Sequence, residues 1–258
     1  VEYTHAAGTS LCLDLHRPDN SERVPVVVYF HGGGFARGSR ADHLQDRLLA
    51  VAAQGIAVAS VSYRLTDVAT HPAQLEDGRT AVSWLRAHGG KFGLSIGRIG
   101  AWGVSAGGWI ALMLSLTGSD PSSSVQAVAA WMPPTDLATL AEQRDAAGLA
   151  LPPFLQGRAA PAMEATLLGL DEISDDLAAA RAASPLTHAP NAGGPTLLVH
   201  GDRDGLINPD QSVALHTALL ESGHESQLML LSGANHEDPQ FQSPSVLCAT
   251  AGFFSALL

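Results

Sequence analysis

The chain has 258 residues, 46% of them hydrophobic, with 14 Lys+Arg against 25 Asp+Glu and a net charge of −11. That length suits one large α/β domain or two small ones with a substantial core. The acidic balance opposes nucleic acid and anionic membranes as partners, because their phosphates repel it, and no apolar run approaches the roughly 18 residues of a membrane span. The chain begins at Val1 with neither Met nor a signal-like segment. The expectation is a soluble protein, with a cytoplasmic compartment favoured over a secreted one whose leader has been trimmed. Cys12 and Cys248 lie near opposite ends without metal-ligand spacing, and are expected to be buried thiols rather than a disulfide.

In chain order, "LCLDLH" alternates apolar and polar residues, as an outer antiparallel strand does. "VPVVVYF" is a continuous apolar run, which suits a strand buried on both faces; "GIAVASVSY", "RIGAWGV", "VQAVAAWM" and "PTLLVHG" read the same way. "SQLMLLSG" is the expected last strand. Helices are predicted between them: "ADHLQDRLLAVAAQ", residues 73–88 with Leu75, Gly78, Val82 and Leu85 on one face, the nearly apolar stretch 105–116, "PDQSVALHTALLESG", and 246–257. Strands alternating with helices imply a mostly parallel, doubly wound sheet. Residues 133–190 break the rhythm: they are rich in Ala and Pro and hold no strong strand. The stretch is too long for a plain connection. It is expected to form a small cap over the carboxyl edge of the sheet; a decorated crossover helix is the alternative.

"AWGVSAGG" places Ser105 between a strand and an apolar helix, with Gly103 and Gly107 two residues to either side. A serine on such a tight turn projects its hydroxyl above the sheet, and its neighbours must be small to clear the adjoining strand and helix. A helix N-cap serine is the alternative reading. "YFHGGGFARG" follows the buried strand, and its successive glycines let backbone N–H groups face a ligand. It matches neither the dinucleotide fingerprint nor a P-loop. A serine nucleophile needs a base and an orienting acid, in the chain order Ser, Asp or Glu, His. "LLVHGDRDGLIN" offers Asp202 and Asp204, and "LSGANHED" offers His236 after the last strand. His31 and His200 each close a buried strand before Gly and read as structural. Asp202, directly after Gly201, is placed to bond local backbone in a turn, whereas Asp204 can lean toward the loop of His236.

"HGGGF", "VSYRL", "HPAQLEDGRTAVSWLR", "WGVSAGGWIA", "SPLTH", "HGDRDGLIN" and "GANHE" occur together and in order over nearly the whole chain. With these motifs the chain resembles the hormone-sensitive-lipase type of α/β-hydrolase esterase, and in particular the small bacterial acetyl-esterase and feruloyl-esterase-like carboxylesterases. The resemblance implies a single α/β-hydrolase domain over 1–258, with a mostly parallel eight-stranded sheet and the helical cap at 133–190. It implies Ser105 as nucleophile, His236 as base and Asp204 as acid, with the N–H groups of Gly33, Gly34 and Ala106 as oxyanion donors. Phe35, Trp109, Phe154 and Leu155 are the expected substrate contacts. Two positions depart from the family pattern: Val104 stands where relatives carry an acid before the nucleophile, and Ser95 where they carry Asp. The first takes an acidic neighbour from the site.

The implied activity is hydrolysis of small carboxylic esters through an acyl-enzyme, with no metal and no cofactor. The acidic charge favours neutral substrates, and a monomer and a homodimer are equally compatible with the sequence. An amidase, arylformamidase or peptidase, or an acyltransferase, would use the same residues. A non-catalytic binding protein on this scaffold would usually lack a member of the triad.

Overall fold

The continuous apolar runs lie side by side at the centre of one sheet. The structure is a computed structural model and describes residues 1–18, 23–160 and 162–258. The strands are β1 (Glu2–Ala6), β2 (Thr9–His16), β3 (Val24–Phe30), β4 (Ala57–Val61), β5 (Leu94–Val104), β6 (Ala127–Trp131), β7 (Thr196–Gly201) and β8 (Ser226–Leu231). Their order across the sheet is β1-β2-β4-β3-β5-β6-β7-β8. β1 pairs with β2 and β2 with β4 in antiparallel fashion, and the remaining pairs are parallel. The predicted mostly parallel eight-stranded sheet is therefore borne out.

The helices are α1 (Leu49–Ala52), α2 (Ala73–His88), α3 (Ala106–Leu116), α4 (Leu140–Ala147), α5 (Met163–Leu168), α6 (Leu177–Ala182), α7 (Asp210–Glu221) and α8 (Pro244–Leu257). Side-chain alternation along β3 sets two layers. Val26, Val28 and Phe30 share a core with Val82 and Leu85 of α2, Ile110 and Leu114 of α3, and Leu215 of α7. Val27 and Tyr29 face the other way, into a core with Val51 of α1, Trp102, Trp131 and Phe254 of α8. The helix predicted over "ADHLQDRLLAVAAQ" is shorter than expected. It opens as one wide π-type turn, Leu44–Leu48, preceded by His43 in a left-handed conformation (φ 56°), and it closes at Ala52. The thiol expectation needs correction as well: both cysteines are free, Cys12 is only partly buried and Cys248 is exposed on α8.

Two polar clusters position the site. Arg64, just beyond β4, grips Asp77 of α2 through Nε and Nη2 at 2.7–3.0 Å, and Asp77 also accepts from the Arg64 backbone N–H at 2.8 Å. Gln211 of α7 holds the start of the segment between β6 and β7: its Oε1 accepts from the N–H groups of Thr135 and Asp136 at 2.7 and 2.6 Å. Its Nε2 donates to Gln143 of α4 at 2.7 Å. That segment carries α4, α5 and α6 joined by short 3-10 turns and no strand among its described residues; Pro161 lies outside them.

Candidate active site

β5 ends at Val104 and α3 starts at Ala106, so the whole reversal falls on Ser105 (φ 54°, ψ −120°). A non-glycine residue with positive φ is uncommon, and it persists only where the surroundings dictate it. Here they do. A Cβ on Gly103 would run into the Gly107 carbonyl of α3, and a Cβ on Gly107 into the carbonyls of Phe30, at the end of β3, and of His31 just after it. The obstacles are backbone atoms, so strand, turn and helix can meet only with glycine at both positions. Ala106 is the first residue of α3, and its N–H has no intrahelical acceptor. A helix N-terminus therefore points at the serine and favours negative charge there.

The turn after β7 and the loop after β8 converge on this hydroxyl. His236 Nε2 lies 3.1 Å from Ser105 Oγ, and His236 Nδ1 lies 2.7 Å from Asp204 Oδ2. The carboxylate fixes the tautomer: Nδ1 donates, so Nε2 accepts from the serine. Asp204 Oδ1 accepts from the N–H groups of Leu206 and Ile207 at 2.9 Å each, which fixes the carboxylate plane. Burial alone would raise the Asp204 carboxyl, but the charge of His236 and hydrogen bonds from His200 and His236 outweigh it and hold the group well below the usual carboxylate range. Burial alone would lower the His236 ring; the charge of Asp204 and its hydrogen bond outweigh this and raise it. Asp202 turns away and accepts from the Gly233 N–H at 2.6 Å.

Gly33 (φ 120°) and Gly34 (φ 61°) line the same cavity as Ser105. A side chain on Gly33 would strike the Arg37 carbonyl. The loop is pinned by His31, whose Nδ1 donates to the Gly32 carbonyl at 2.7 Å, while Tyr63 stacks on the ring at 4.4 Å and donates to the His31 carbonyl at 2.9 Å. The cavity has a volume of about 580 Å³. Phe154, Leu155 and Met163 from the 133–190 segment supply apolar lining, and Arg37, Asp42, His43 and Glu237 supply polar lining. Phe35 and Trp109, expected as substrate contacts, do not belong to the lining. Both are fully buried and pack edge-to-face at 5.4 Å, and Trp109 Nε1 donates to the Ala183 carbonyl at 2.8 Å. Through this bond Trp109 holds residues 133–190, and Phe35 packs against Trp109.

Three residues around Ser105, His236 and Asp204 were given no role in the site by the sequence. Asn235 Oδ1 accepts from Gly205 N–H at 3.1 Å and from His236 N–H at 2.7 Å, and its Nδ2 donates to the Ala150 carbonyl at 2.7 Å. It ties the His236 loop to the loop of Asp204 and to residues 133–190. Its place beside His236 in "GANHE" was the available signal. His200, read as structural, is indeed buried, but its Nε2 donates to the Ile207 carbonyl at 2.9 Å and sits 3.3 Å from Asp204 Oδ2. Glu237 lies directly after His236 with φ 57°.

A family model described as BD-FAE matches residues 13–219. The chain belongs to the BD-FAE family. Among curated proteins, this BD-FAE member is 41% identical over 147 residues to Esterase LipI of Mycobacterium tuberculosis, covering 54% of this chain and 45% of that one. It is 29% identical over 225 residues to Esterase LipC of the same organism, covering 83% and 53%. The chain thus spans about half the length of these curated relatives. A truncated form of carbohydrate esterase from gut microbiota superposes with a TM-score of 0.83 at 22% identity, over 99% of this chain and 94% of that one, and shares the fold. The resemblance to hormone-sensitive-lipase-type α/β-hydrolases, first drawn from the motifs, is borne out by these matches. Among the described residues, no helix is long and apolar enough to cross a membrane, and no group of His, Cys, Asp and Glu is placed to hold a metal.

Proposed function

We propose that this BD-FAE protein is a serine esterase that cleaves small carboxylic esters through an acyl-enzyme. The observation that carries the reading is the continuous hydrogen-bond chain from Ser105 Oγ through His236 to Asp204, set at a helix N-terminus. Ser105 Oγ attacks the ester carbonyl carbon and its proton passes to His236 Nε2. The tetrahedral oxyanion accepts hydrogen bonds from the N–H groups of Gly33, Gly34 and Ala106, donors fixed before reaction. The intermediate collapses, the C–O bond to the alcohol breaks, and His236 returns the proton to the leaving oxygen. Water repeats the sequence on the acyl-enzyme and frees the acid. Asp204 stays ionised throughout, orienting the ring and stabilising the imidazolium. Residues 133–190 act as the cap, with Phe154 and Leu155 meeting the substrate.

A fluorophosphonate probe is expected to label the protein once. Ser105→Ala should abolish labelling and reduce turnover by about 10⁶. Labelling that survives this change overturns the assignment. Rates on an ester and its matching anilide test the amidase reading, and product analysis with a competing alcohol tests acyl transfer.

A further inference from the structure

Arg47 lies in the wide turn Leu44–Leu48 with its side chain wholly buried. A buried cation costs several kcal/mol unless it is paired and hydrogen-bonded. Its Nη1 donates to Tyr29 Oη at 3.1 Å and to Glu237 Oε1 at 3.4 Å, and its Cζ stands 5.1 Å from the centre of the Trp131 ring. Tyr29 belongs to β3 and Trp131 to β6, so the guanidinium is seated on the sheet itself. Among the described residues, Glu237 is the one carboxylate within ion-pair distance of Arg47.

Glu237 is also the residue that follows His236, and it holds a left-handed backbone conformation that a glutamate adopts only under constraint. The other side of the histidine is held by Asn235, whose backbone N–H donates to Asp238 at 2.8 Å. We propose that the Arg47–Glu237 pair, with its arginine buried and its glutamate at the cavity lining, is a positioning element that fixes the His236 loop and tunes the field at its imidazole. This rests on the serine-hydrolase reading above.

The two charges act on the ring with opposite sign. Burial lowers the His236 ring and Asp204 raises it; Glu237 raises it further and Arg47 lowers it. Other groups surround this pair. His200 stands behind Asp204. His43 Nε2 lies 3.8 Å from Glu237 Oε1, with Asp46 on its Nδ1 at 3.2 Å. Arg37 and Asp42 line the same cavity as His236, Ser105 Oγ lies 3.1 Å from its Nε2, and the Phe154 ring lies 6.5 Å from its ring. Neutralising either member leaves the charges of these groups unchanged, and the opposite signs expected for the two single variants distinguish the pair from a shared displacement of the loop.

The base must be neutral in the free enzyme, so activity is lost as pH falls through the titration of His236. Glu237→Gln removes a carboxylate that favours the imidazolium and leaves Arg47 uncompensated, and the acid limb of kcat/KM should move to lower pH. Arg47→Met leaves Glu237 uncompensated, and the limb should move to higher pH. The double variant should return toward the wild-type limb. With p-nitrophenyl acetate, each single variant should lose about 10–100-fold in kcat through misplacement of the base, with KM within about twofold. A fold-only role predicts a lower melting temperature and an unmoved limb. If the wild type is labelled at Ser105 and both limbs stay put or move the same way, the positioning proposal is overturned and the esterase reading stands. If the wild type is neither labelled nor active, the esterase reading itself fails. Should Arg47→Met not fold, the direction of the Glu237→Gln limb decides alone: a downward shift supports the proposal, and no shift or an upward one sinks it.

Discussion

The turn around Ser105 and the inserted segment 133–190 border the same cavity, yet they are held by different means. Every residue of the 101–116 stretch is buried, and its shape is set by backbone meeting backbone at Gly103 and Gly107. The 133–190 segment meets the body through side chains, with Gln211 at its start, Trp109 at Ala183 and Asn235 at Ala150, through apolar residues such as Leu137 and Leu167 in the core, and through a backbone bond from the His71 N–H to the Leu167 carbonyl at 2.7 Å. Half of α4 is exposed, with only Leu140 buried. A backbone-determined turn has one low-energy arrangement, whereas a segment anchored largely by side chains can change the residues it presents to the cavity without disturbing the sheet. Changes at the sheet-edge loops should therefore destroy rate or fold, and changes in the insertion should redistribute specificity.

The largest expected break is chemical. Asp204→Asn should keep the fold and cost about 10⁴ in kcat, because the amide no longer holds the right tautomer of His236. Asp202→Asn, which alters one exposed bond to Gly233, should stay within about threefold. Comparable loss in both variants would merge two aspartates that the geometry separates.

The next effect is on stability. Gly107→Ala forces a methyl against the Phe30 and His31 carbonyls, which cannot yield without moving β3. It should cost about 3 kcal/mol or more by denaturant titration. Gly157→Ala, in the insertion, also meets a positive φ of 74° but has open space around it. It should cost about 1–2 kcal/mol, the backbone penalty alone. Equal costs would mean that the turn is no tighter than the insertion.

This difference also explains what the sequence made legible. Residues 73–88 were predicted as a helix and form α2 over Ala73–His88, because its apolar stripe and its capture of Arg64 by Asp77 lie in one local stretch. The glycines around Ser105 were legible for the same reason: close approach leaves a residue-type signature. Strand β1 was missed, since in EYTHA only Tyr3 is buried and an edge strand of five residues carries no periodic signal. Phe35 and Trp109 were misplaced because an aromatic beside a catalytic motif reads alike whether it faces a pocket or the core. Arg47 and Glu237 were invisible as a pair: they stand 190 residues apart, and a lone arginine in "LQDRLL" reads as a solvated helix face.

The smallest effect sharpens the insertion's side of the comparison. The Phe154 ring is 46% exposed, lies 6.5 Å from the His236 ring and carries Arg37 at 5.9 Å above it. Truncating it removes apolar lining from the cavity but little from the core, so Phe154→Ala should shift unfolding by less than about 1 kcal/mol. Each methylene that loses burial gives up about 0.8 kcal/mol, or roughly fourfold. Acetyl esters do not reach far along that lining and should react within about twofold of the wild-type rate. Over a series to hexanoyl esters, the preference for the longer chain should fall by about tenfold or more, as two or three methylenes lose cover. Leu155 is a poorer probe, because it is buried and its truncation would cost stability as well. A uniform loss across the series would place Phe154 with the catalytic loops instead, as a support for His236.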